Sequence, residues 1–426
     1  MRTVFHARHA WIGADVATDV RIEIENGLFT AVTPDSPADG ESLPGLVLPG
    51  LANAHSHAFH RALRGRTHSG RGSFWTWRQQ MYEVAAGLDP DRYLALARAV
   101  YAEMALAGVT CVGEFHYLHH APGGVRYADP NAMGAALIQA ADEAGIRITL
   151  LDTLYLTAGV DGTPLAGVQL RFGDDNAEAW AARVAEITAA PHARIGAAIH
   201  SVRAVPADQL SMLAGRGPLH VHLSEQRAEN EQCRAVHGCT PTELLDRHGI
   251  LGPGTTAVHA THLTDGDVKL LGDSRTGVCF CPTTERDLAD GIGPAAGLAA
   301  AGSPIGLGSD SHAVIDPFEE IRGLEMNERL ASESRGHFPA AALVAAAANH
   351  QSLGWDDAGG IAPGLRADLV AVSLASVRTT GSRPDQAIFA ATGADVTHVI
   401  SGGRRIVADG RHTLVDVPAE LAKVLA

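Results

Sequence analysis

The stretch that decides the fold is Leu48-Pro49-Gly50-Leu51-Ala52-Asn53-Ala54-His55-Ser56-His57. The chain before it is short and rich in turn signals, whereas the chain after it alternates apolar strands with helices. His55 and His57 are two residues apart, so on a strand both side chains lie on one face. Two imidazoles at a strand end are half of a metal site, and the rest of the chain is expected to supply the other half.

Downstream of this stretch, helix signals separate the apolar segments. Asp89-Pro90 is typical of a helix N-cap followed by proline in the first turn, and Gly145 and Gly302 are typical helix ends. Strands that alternate with helices and are apolar almost throughout predict an α/β fold, a parallel (β/α)8 TIM-like barrel. Eight strands are predicted, at residues 51–57, 109–115, 146–151, 195–200, 219–223, 256–260, 276–281 and 304–309.

Both ends of the chain carry short β signals. Near the N-terminus, Val20–Ile24 alternates polar and apolar residues, and Asn26-Gly27 predicts a tight turn after it. The tail repeats this pattern, beginning at Leu369–Val372. We therefore predict a small β-sandwich domain formed jointly by residues 1–50 and 359–426, with the barrel between them at residues 51–358.

Composition limits the class of protein. Of the 426 residues, 46% are apolar and 19% are charged, which favours a large folded core over disorder. The formal net charge of −15 argues against a nucleic-acid partner. No apolar run is long enough to cross a bilayer and the N-terminus lacks the apolar core of a signal peptide, so we expect no membrane partner. The cysteines number five, and an odd number cannot pair completely into disulfides, which favours reduced thiols and a cytoplasmic location.

Three further segments each have an interpretation of their own, and two of them have alternatives. Cys279-Phe280-Cys281 offers soft metal ligands, but the pattern favours small residues of a buried strand. The basic, glycine-rich segment 61–72 predicts a loop over the barrel mouth. The aromatic segment Ser73–Met81 that follows predicts either a lid or a dimer contact.

Ionisable side chains recur where the predicted strands end. Barrel enzymes place their chemistry at the carboxyl ends of the strands. A single histidine there is more often a hydrogen-bonded structural group, but burying six such strand ends without partners would be costly. The residues at these ends are His55 and His57, Glu114 and His116, His200 and Arg203, His220, His222 and Glu225, His259, and Asp310 and His312.

Three histidines and a carboxylate make a zinc site that leaves room for a water. The predicted ligands of one Zn²⁺ per chain are His55, His57, His222 and Asp310. Fe²⁺ and Mn²⁺ also tolerate this ligand set. His220 shares a face with His222 but lies deeper, which favours a structural role. Strand four ends in His200 and no lysine stands on a predicted barrel strand, which argues against two metals bridged by a lysine.

A water activated by such a metal is a nucleophile, but the reaction also needs a base and an acid. Asp310 is placed to take a proton from the water, and Glu225 is placed to hold a substrate nitrogen and deliver a proton to it. His259 is placed to polarise a substituent of the reacting carbon. This layout indicates hydrolytic deamination with ammonia leaving. The alternative for Glu225 is a solvated helix start, because Glu229 and Glu231 follow it.

These residues resemble those of the amidohydrolase superfamily over essentially the whole chain, and within it the mononuclear deaminases. The segments that carry this likeness are Leu48–His57, His222–Glu225, His259 and Ser309–Ser311. The chain also resembles, more narrowly, the N-formimino-L-glutamate (formimidoylglutamate) deiminases of histidine catabolism. The segments that carry this second likeness are Asn53–Phe59, Ser73–Arg78, Glu114–His120, His200–Arg203 and Ser309–His312.

The resemblance implies a reaction and a site. In that family a formimino group is hydrolysed to a formyl group with release of ammonia, and the implied assembly is a homodimer. The resemblance implies that the four residues named above are the metal ligands and that Glu225 and His259 are catalytic residues. It implies that the glutamate moiety of an acidic substrate is held by Arg78, Tyr117, His200 and Arg203. Arginine suits carboxylates because its guanidinium donates paired hydrogen bonds, although a guanidinium of Arg78 stacked on Trp75 or Trp77 is the structural alternative.

One position departs from this family. The residue after Phe59 is a substrate-contacting glutamine in the family, whereas here it is His60. Histidine still donates a hydrogen bond to a carboxylate, but it is shorter and titratable. The departure at His60 therefore bears on substrate preference and not on the chemistry.

Three alternative functions remain. A purine- or nucleoside-type deaminase, or another amidine deaminase, uses the same scaffold; a purine substrate predicts an aromatic pocket, which an aromatic content of 5% and two arginines disfavour. A two-metal cyclic-amide hydrolase is disfavoured by the missing strand-four lysine. A catalytically inactive scaffold is disfavoured by the complete set of ligands.

Overall fold

The computed structural model describes residues 2–68 and 71–426, and these residues form two eight-stranded sheets. The strands are β1 Arg2–Ile12, β2 Asp15–Glu25, β3 Leu28–Thr33, β4 Glu41–Pro49, β5 Leu51–Ser56, β6 Val109–His116, β7 Arg147–Leu154, β8 Ala193–Ile199, β9 Leu219–Leu223, β10 Thr255–His259, β11 Gly277–Phe280, β12 Ile305–Leu307, β13 Leu369–Val372, β14 Val396–Ser401, β15 Arg404–Ala408 and β16 Arg411–His412. The helices are α1 Phe74–Ala86, α2 Pro90–Leu106, α3 Ala132–Ala144, α4 Ala177–Val184, α5 Ala207–Leu210, α6 Arg227–His237, α7 Pro241–Arg247, α8 Asp265–Asp273, α9 Pro282–Asp287, α10 Ala295–Ala301, α11 Pro317–Ser332, α12 Ala340–Ala347 and α13 Val417–Leu425.

The first sheet is the barrel, in which β5 to β12 lie in sequence order and each strand pairs in parallel with the next. The barrel closes between β5 and β12, where Ser56 and Asp310 form an isolated parallel bridge. Because all eight strands run the same way, their carboxyl ends meet at one rim. The predicted (β/α)8 fold and all eight predicted strands are confirmed.

The second sheet is built from both chain ends, in the order β16-β15-β14-β13-β4-β1-β2-β3. The two ends meet where β13 pairs with β4. Side chains alternate between the two faces of a strand. Leu369 and Ala371 therefore pack in the core of this domain, whereas Val370 and Val372 pack in the barrel core. The predicted β domain from both ends is confirmed, and its strands form one continuous hydrogen-bonded sheet.

Local signals explain several element boundaries. Asn26 and Gly27 have φ of 52° and 80° and form the turn between β2 and β3, a conformation that asparagine and glycine tolerate best. The Asp89 side chain accepts a hydrogen bond from the Arg92 N–H, and Pro90 begins α2. Gly145 ends α3 in the left-handed conformation.

Four helices had no prediction from the sequence: α1, α6, α9 and α13. Helix α6 has the sequence Arg-Ala-Glu-Asn-Glu-Gln-Cys-Arg-Ala-Val-His, and its buried residues are Glu229, Asn230 and Cys233, so apolar residues do not mark the face that packs inward. In the segment predicted as a loop, residues 61–63 complete a short 3-10 helix that starts at Ala58, and turns follow. The part of that prediction that falls on Ser69 and Gly70 lies outside the described residues.

Across residues 2–68 and 71–426, every helix is either too short or too polar to cross a membrane. The domain boundaries at residues 50 and 359 stay a prediction.

Candidate active site

Four of the predicted site residues meet at the carboxyl rim of the barrel. His55 belongs to β5, His57 follows it, His222 lies on β9 and Asp310 follows β12. The Nε2 atoms of His55 and His222 are 3.1 Å apart, and Oδ1 of Asp310 is 3.4 Å from Nε2 of both His55 and His57. All four side chains are buried, and His55, His57 and Asp310 are close enough together to hold a metal ion.

Hydrogen bonds to the backbone fix how two of these rings are turned. Nδ1 of His57 lies 2.9 Å from the Phe115 carbonyl oxygen, and Nδ1 of His222 lies 2.9 Å from the His200 carbonyl oxygen. A carbonyl only accepts, so Nδ1 carries the proton and the bare Nε2 points into the cluster. The bare Nε2 of His57 lies 3.4 Å from Oδ1 of Asp310, a contact that is repulsive unless a cation lies between the two atoms. The donor set therefore fits a divalent metal.

The electrostatic environment keeps these groups in the states that a metal requires. Burial lowers the pKa of His55 to about 3 and that of His57 to about 4, and it lowers the pKa of His222 well below its usual range. Burial alone would raise the pKa of Asp310, but the nearby imidazoles of His55, His259 and His57 favour its ionised form and hold the pKa far below its usual range. At neutral pH the rings are neutral and the carboxyl group is ionised.

Glu225 and His259 lie beside this cluster. Nε2 of His259 is 3.9 Å from Oε1 of Glu225 and 3.8 Å from Oδ2 of Asp310, and its Nδ1 is 3.5 Å from Oε1 of Glu285. Burial lowers the pKa of His259, but these carboxylates outweigh it and the pKa lies well above its usual range. Burial raises the pKa of Glu225. The carboxylates thus favour the protonated imidazole of His259, and burial favours the protonated carboxyl group of Glu225, an arrangement that suits acid–base chemistry.

Backbone strain concentrates at the same strand ends. Ser224, His259, Ala260, Asp310 and His312 have φ of 51°, 68°, 49°, 41° and 57°, a region that side-chain-bearing residues rarely adopt. Each such residue costs on the order of 1–3 kcal/mol and persists only where the surrounding structure holds it, which is typical of functional sites. The strain is thus an indication of function that is independent of the residue types.

A pocket above the cluster brings the two predicted arginines to its wall. Arg78 lies on α1, donates through Nε to the Tyr82 hydroxyl at 2.6 Å and stacks at 5.3 Å from the Trp75 ring centre. Arg78 therefore both stacks on Trp75 and lines the pocket, so the two interpretations are compatible. Arg203 follows β8, and its Nε is 3.7 Å from the buried carboxylate of Glu229. Two cationic side chains in an acidic protein create a local field that attracts anions.

The remaining predicted contacts, His60, Tyr117 and His200, also line this pocket. Nε2 of His60 is 2.9 Å from the Tyr117 hydroxyl, and the His60 ring packs edge-on against Trp77. Burial lowers the pKa of His60 and of His200 well below the usual range, so both rings are neutral hydrogen-bonding groups. The structure therefore brings together every site residue that the sequence predicted.

Sequence reasoning missed much of the pocket wall. Helix α1 covers the barrel mouth with residues of the aromatic segment, so the structure places that segment over the site, as a lid would lie. Six aromatic side chains line the pocket, so a low overall aromatic content does not argue against an aromatic site. Phe74, Trp77 and Met81 of that segment line the wall, and the residues that the sequence did not indicate are Tyr82, Tyr155, Phe172 and Leu288 in the wall and Glu285 behind His259. Glu285 carries no signal beyond its position just after a barrel strand.

Some strand-end residues lie outside the site. His116 and His119 form a second buried group with Asp152, but Arg183 donates to both oxygens of Asp152, at 2.9 Å and 2.8 Å. His220 bonds through Nε2 to the Ser352 carbonyl oxygen at 2.9 Å, in line with the predicted structural role. Cys279 and Cys281 are buried in a small apolar cluster, although Cys281 lies close to His259 and Asp310.

Comparison with known proteins gives three findings. A sequence model described as the amidohydrolase family matches residues 46–406. The chain is 36% identical to the formimidoylglutamate deiminase of Pseudomonas aeruginosa, over 97% of this chain and 96% of that protein. Among solved structures it is similar to an amidohydrolase from Brucella melitensis (TM-score 0.90, 32% identity, 99% of both chains) and to an adenosine deaminase from Xanthomonas campestris with bound zinc (TM-score 0.85, 25% identity, 99% and 96% of the chains).

Proposed function

The chain belongs to the amidohydrolase family, and from that premise we propose that it hydrolyses N-formimino-L-glutamate to N-formyl-L-glutamate and ammonia, in histidine catabolism. The observation that carries this substrate is the pair Arg78 and Arg203, which line a pocket directly above the histidine and aspartate cluster. A glutamate moiety has two carboxylates, and two guanidinium groups match them.

We propose one zinc ion per chain, held by His55, His57, His222 and Asp310. A divalent metal held there supplies a water of lowered pKa and polarises the carbon–nitrogen double bond of the formimino group. The ligand set supports this proposal because the Nε2 atoms converge and the outer nitrogens of His57 and His222 are hydrogen-bonded to carbonyl groups.

Three side chains move the protons in this proposal. The ionised Asp310 accepts a proton from the attacking water, whose oxygen bonds to the formimino carbon. Glu225 holds the terminal nitrogen and protonates it, so that the carbon–nitrogen double bond becomes a single bond. Asp310 then passes its proton to the same nitrogen, the carbon–nitrogen bond breaks and ammonia leaves, and the remaining hydroxyl proton returns to Glu225 as the formyl carbonyl forms. His259, protonated because three carboxylates surround it, stabilises negative charge on the incoming oxygen.

The other end of the substrate meets the remaining contacts. Arg78 and Arg203 pair with carboxylates, and Tyr117, His200 and His60 donate or accept single hydrogen bonds. The Tyr117 hydroxyl already bonds to His60, so His60 acts on substrate preference partly through the orientation of Tyr117.

The test is ammonia release by the purified, zinc-loaded protein from N-formimino-L-glutamate. A matched substrate in which both carboxylates are amidated should lose most of the activity, because the arginines would have no anion to bind. Turnover of a purine, with none of N-formimino-L-glutamate, would overturn the proposal.

A second candidate is a purine-type deaminase of the same family. The observation that favours it is the aromatic wall of the pocket, which contains Phe74, Trp77, Tyr82, Tyr117, Tyr155 and Phe172. The two arginines at the same wall are less suited to an uncharged base.

We further propose a homodimer that works in the cytoplasm on a small acidic substrate. The five free, buried cysteines support a reducing compartment. Sedimentation equilibrium tests the dimer, which a monomer at micromolar concentration would contradict.

A further inference from the structure

The barrel closes through few backbone contacts at the point where the metal ligands arise. Strand β12 has three residues, and its link to β5 in the described chain is the Ser56–Asp310 bridge. The Asp310 N–H donates to the His55 carbonyl at 3.0 Å, and the His57 N–H donates to the Asp310 carbonyl at 3.2 Å. Three of the four predicted ligands therefore lie at a closure that has few backbone hydrogen bonds of its own.

A chain of buried side chains runs behind this closure, and we call it the seam network. Nδ2 of Asn53 donates to Oγ of Ser309 at 2.7 Å, and that oxygen is 2.9 Å from Nδ1 of His312. Nε2 of His312 is 3.1 Å from Oγ of Ser56, which donates to Oε2 of Glu114 at 2.6 Å. The network thus joins β5, β6 and the segment after β12, and all five residues are buried.

The hydrogen bonds of the seam network fit one consistent set of directions. The Ser309 N–H donates to Oδ1 of Asn53 at 2.9 Å, which fixes the amide so that Nδ2 faces Oγ. Ser309 then donates its proton to Nδ1 of His312, so His312 carries its own proton on Nε2 and donates to Ser56. Ser56 is left to donate to Glu114. The network has one consistent orientation, and each link orders the next.

Glu114 ends the network and does not face the substrate pocket, whose lining residues do not include it. Its Oε1 accepts the Ala58 N–H at 2.7 Å, just beyond His57. Burial raises its pKa to about 7. A shifted carboxyl group is often taken as a catalytic acid, but the bonds of Glu114 run to Ser56, to the Tyr93 hydroxyl at 3.5 Å and to the backbone next to a ligand.

We propose that Asn53, Ser56, Glu114, Ser309 and His312 are positioning residues that hold the two sides of the barrel closure in register and so preorganise His55, His57 and Asp310 for the metal. The inference rests on the metal site of the proposed function and not on the substrate. Outer hydrogen-bond partners of ligands typically contribute about 10–100-fold to metal affinity.

The experiment follows zinc release from the loaded protein into excess chromogenic chelator, together with thermal unfolding of the metal-free protein. Glu114→Gln puts an amide donor opposite the Ala58 N–H or the Ser56 hydroxyl, and Ser56→Ala removes the link itself. Each variant should release zinc about 10-fold faster or more. The double variant should be little worse than Glu114→Gln alone, because both changes break the same link.

The control is Glu325→Gln, a buried carboxylate that likewise accepts backbone N–H groups, those of Gly336 and Phe338, but lies on α11 and pairs with Arg329. It should lower the unfolding temperature of the metal-free protein and leave zinc release unchanged. The proposal would be overturned if both seam variants released zinc at the wild-type rate and showed only a lower unfolding temperature. The network would then be purely structural. A wild-type protein that binds no zinc would instead overturn the metal site itself.

Discussion

Two buried clusters of histidine and aspartate lie at strand ends of the same barrel, and they differ in what neutralises the carboxylate. In the first, Asp310 faces imidazole nitrogens, and within residues 2–68 and 71–426 no arginine or lysine forms an ion pair with it. In the second, Asp152 lies near His116 and His119, but the guanidinium of Arg183 occupies both of its oxygens. We call them the ligand cluster and the arginine cluster.

The difference shows that residue type alone does not make a metal site. Arg183 also donates to Asp174 at 2.9 Å, and Trp180 donates to Asp152 at 2.9 Å, so the carboxylates of the second cluster are satisfied by donors of the protein itself. Nδ1 of His57 and of His222 are likewise satisfied, but their Nε2 atoms converge on one another and on Asp310. The geometry therefore favours a cation in the ligand cluster and disfavours one in the arginine cluster.

The largest expected effect comes from removing the anionic ligand. Asp310→Asn should lose bound zinc and lower kcat/KM by on the order of 10³-fold, because the remaining ligands carry no charge to offset the metal. Asp152→Asn, the same change in the arginine cluster, should keep its zinc. Metal analysis and the ammonia assay check both. Equal zinc loss in the two variants would remove the distinction between the clusters.

The next effect separates two buried acids. Glu225→Gln should lower kcat about 10²-fold or more with little change in KM, because a fixed amide cannot pass a proton to the leaving nitrogen. Asp174→Asn in the arginine cluster should leave kcat unchanged. Steady-state kinetics measures this, and a rise in KM alone for Glu225→Gln would mean that it only binds substrate.

Two arginines give the third comparison. Arg183→Met leaves Asp152 and Asp174 without their cation and should cost about 3–5 kcal/mol of unfolding free energy, with KM unchanged. Arg203→Met should instead raise KM about 10–100-fold with little loss of kcat, because it removes a charge-assisted hydrogen bond to substrate. Urea unfolding and kinetics on both variants check this. The interpretation fails if Arg203→Met proves to be the more destabilising change.

The smallest effect is a pH dependence of the arginine cluster. Burial would raise the pKa of Asp152, but Arg183 outweighs it and holds the pKa at about 2, below the usual 3.8. A carboxyl group with a lowered folded pKa adds stability above about pH 4 and loses it as the pH falls towards 2, here ~2 kcal/mol. The difference in urea midpoint between metal-free wild type and metal-free Asp152→Asn should therefore narrow below pH 4. A constant difference would mean that Asp152 is not ionised in the folded protein.

The barrel and the histidines and aspartate that meet at its rim were predictable from the sequence because both follow from local signals. Apolar strands bounded by glycine and proline place the strand ends, and His55, His57, His222 and Asp310 lie at those ends. The pairing of Arg183 with Asp152 was not predictable, since the two residues are 31 apart and their contact depends on the packing of α4 on the barrel. Strand-end histidines of both clusters therefore looked alike in the sequence.

The pocket wall was the other part that the sequence could not supply. Helix α1 has an aromatic face, but its placement over the barrel mouth is a tertiary contact, made where Met81 meets the Tyr117 hydroxyl and Trp77 meets His60. Glu285 reaches His259 from α9, which has six residues and no sequence pattern of its own. Non-local packing, not residue type, decides these contacts.

The most direct test is anomalous diffraction at the zinc absorption edge from crystals of the zinc-loaded protein. The account predicts one peak per chain within about 2.0–2.3 Å of ligand atoms of His55, His57, His222 and Asp310, and none at the arginine cluster. A peak between His116, His119 and Asp152, or no peak in the ligand cluster, would contradict it.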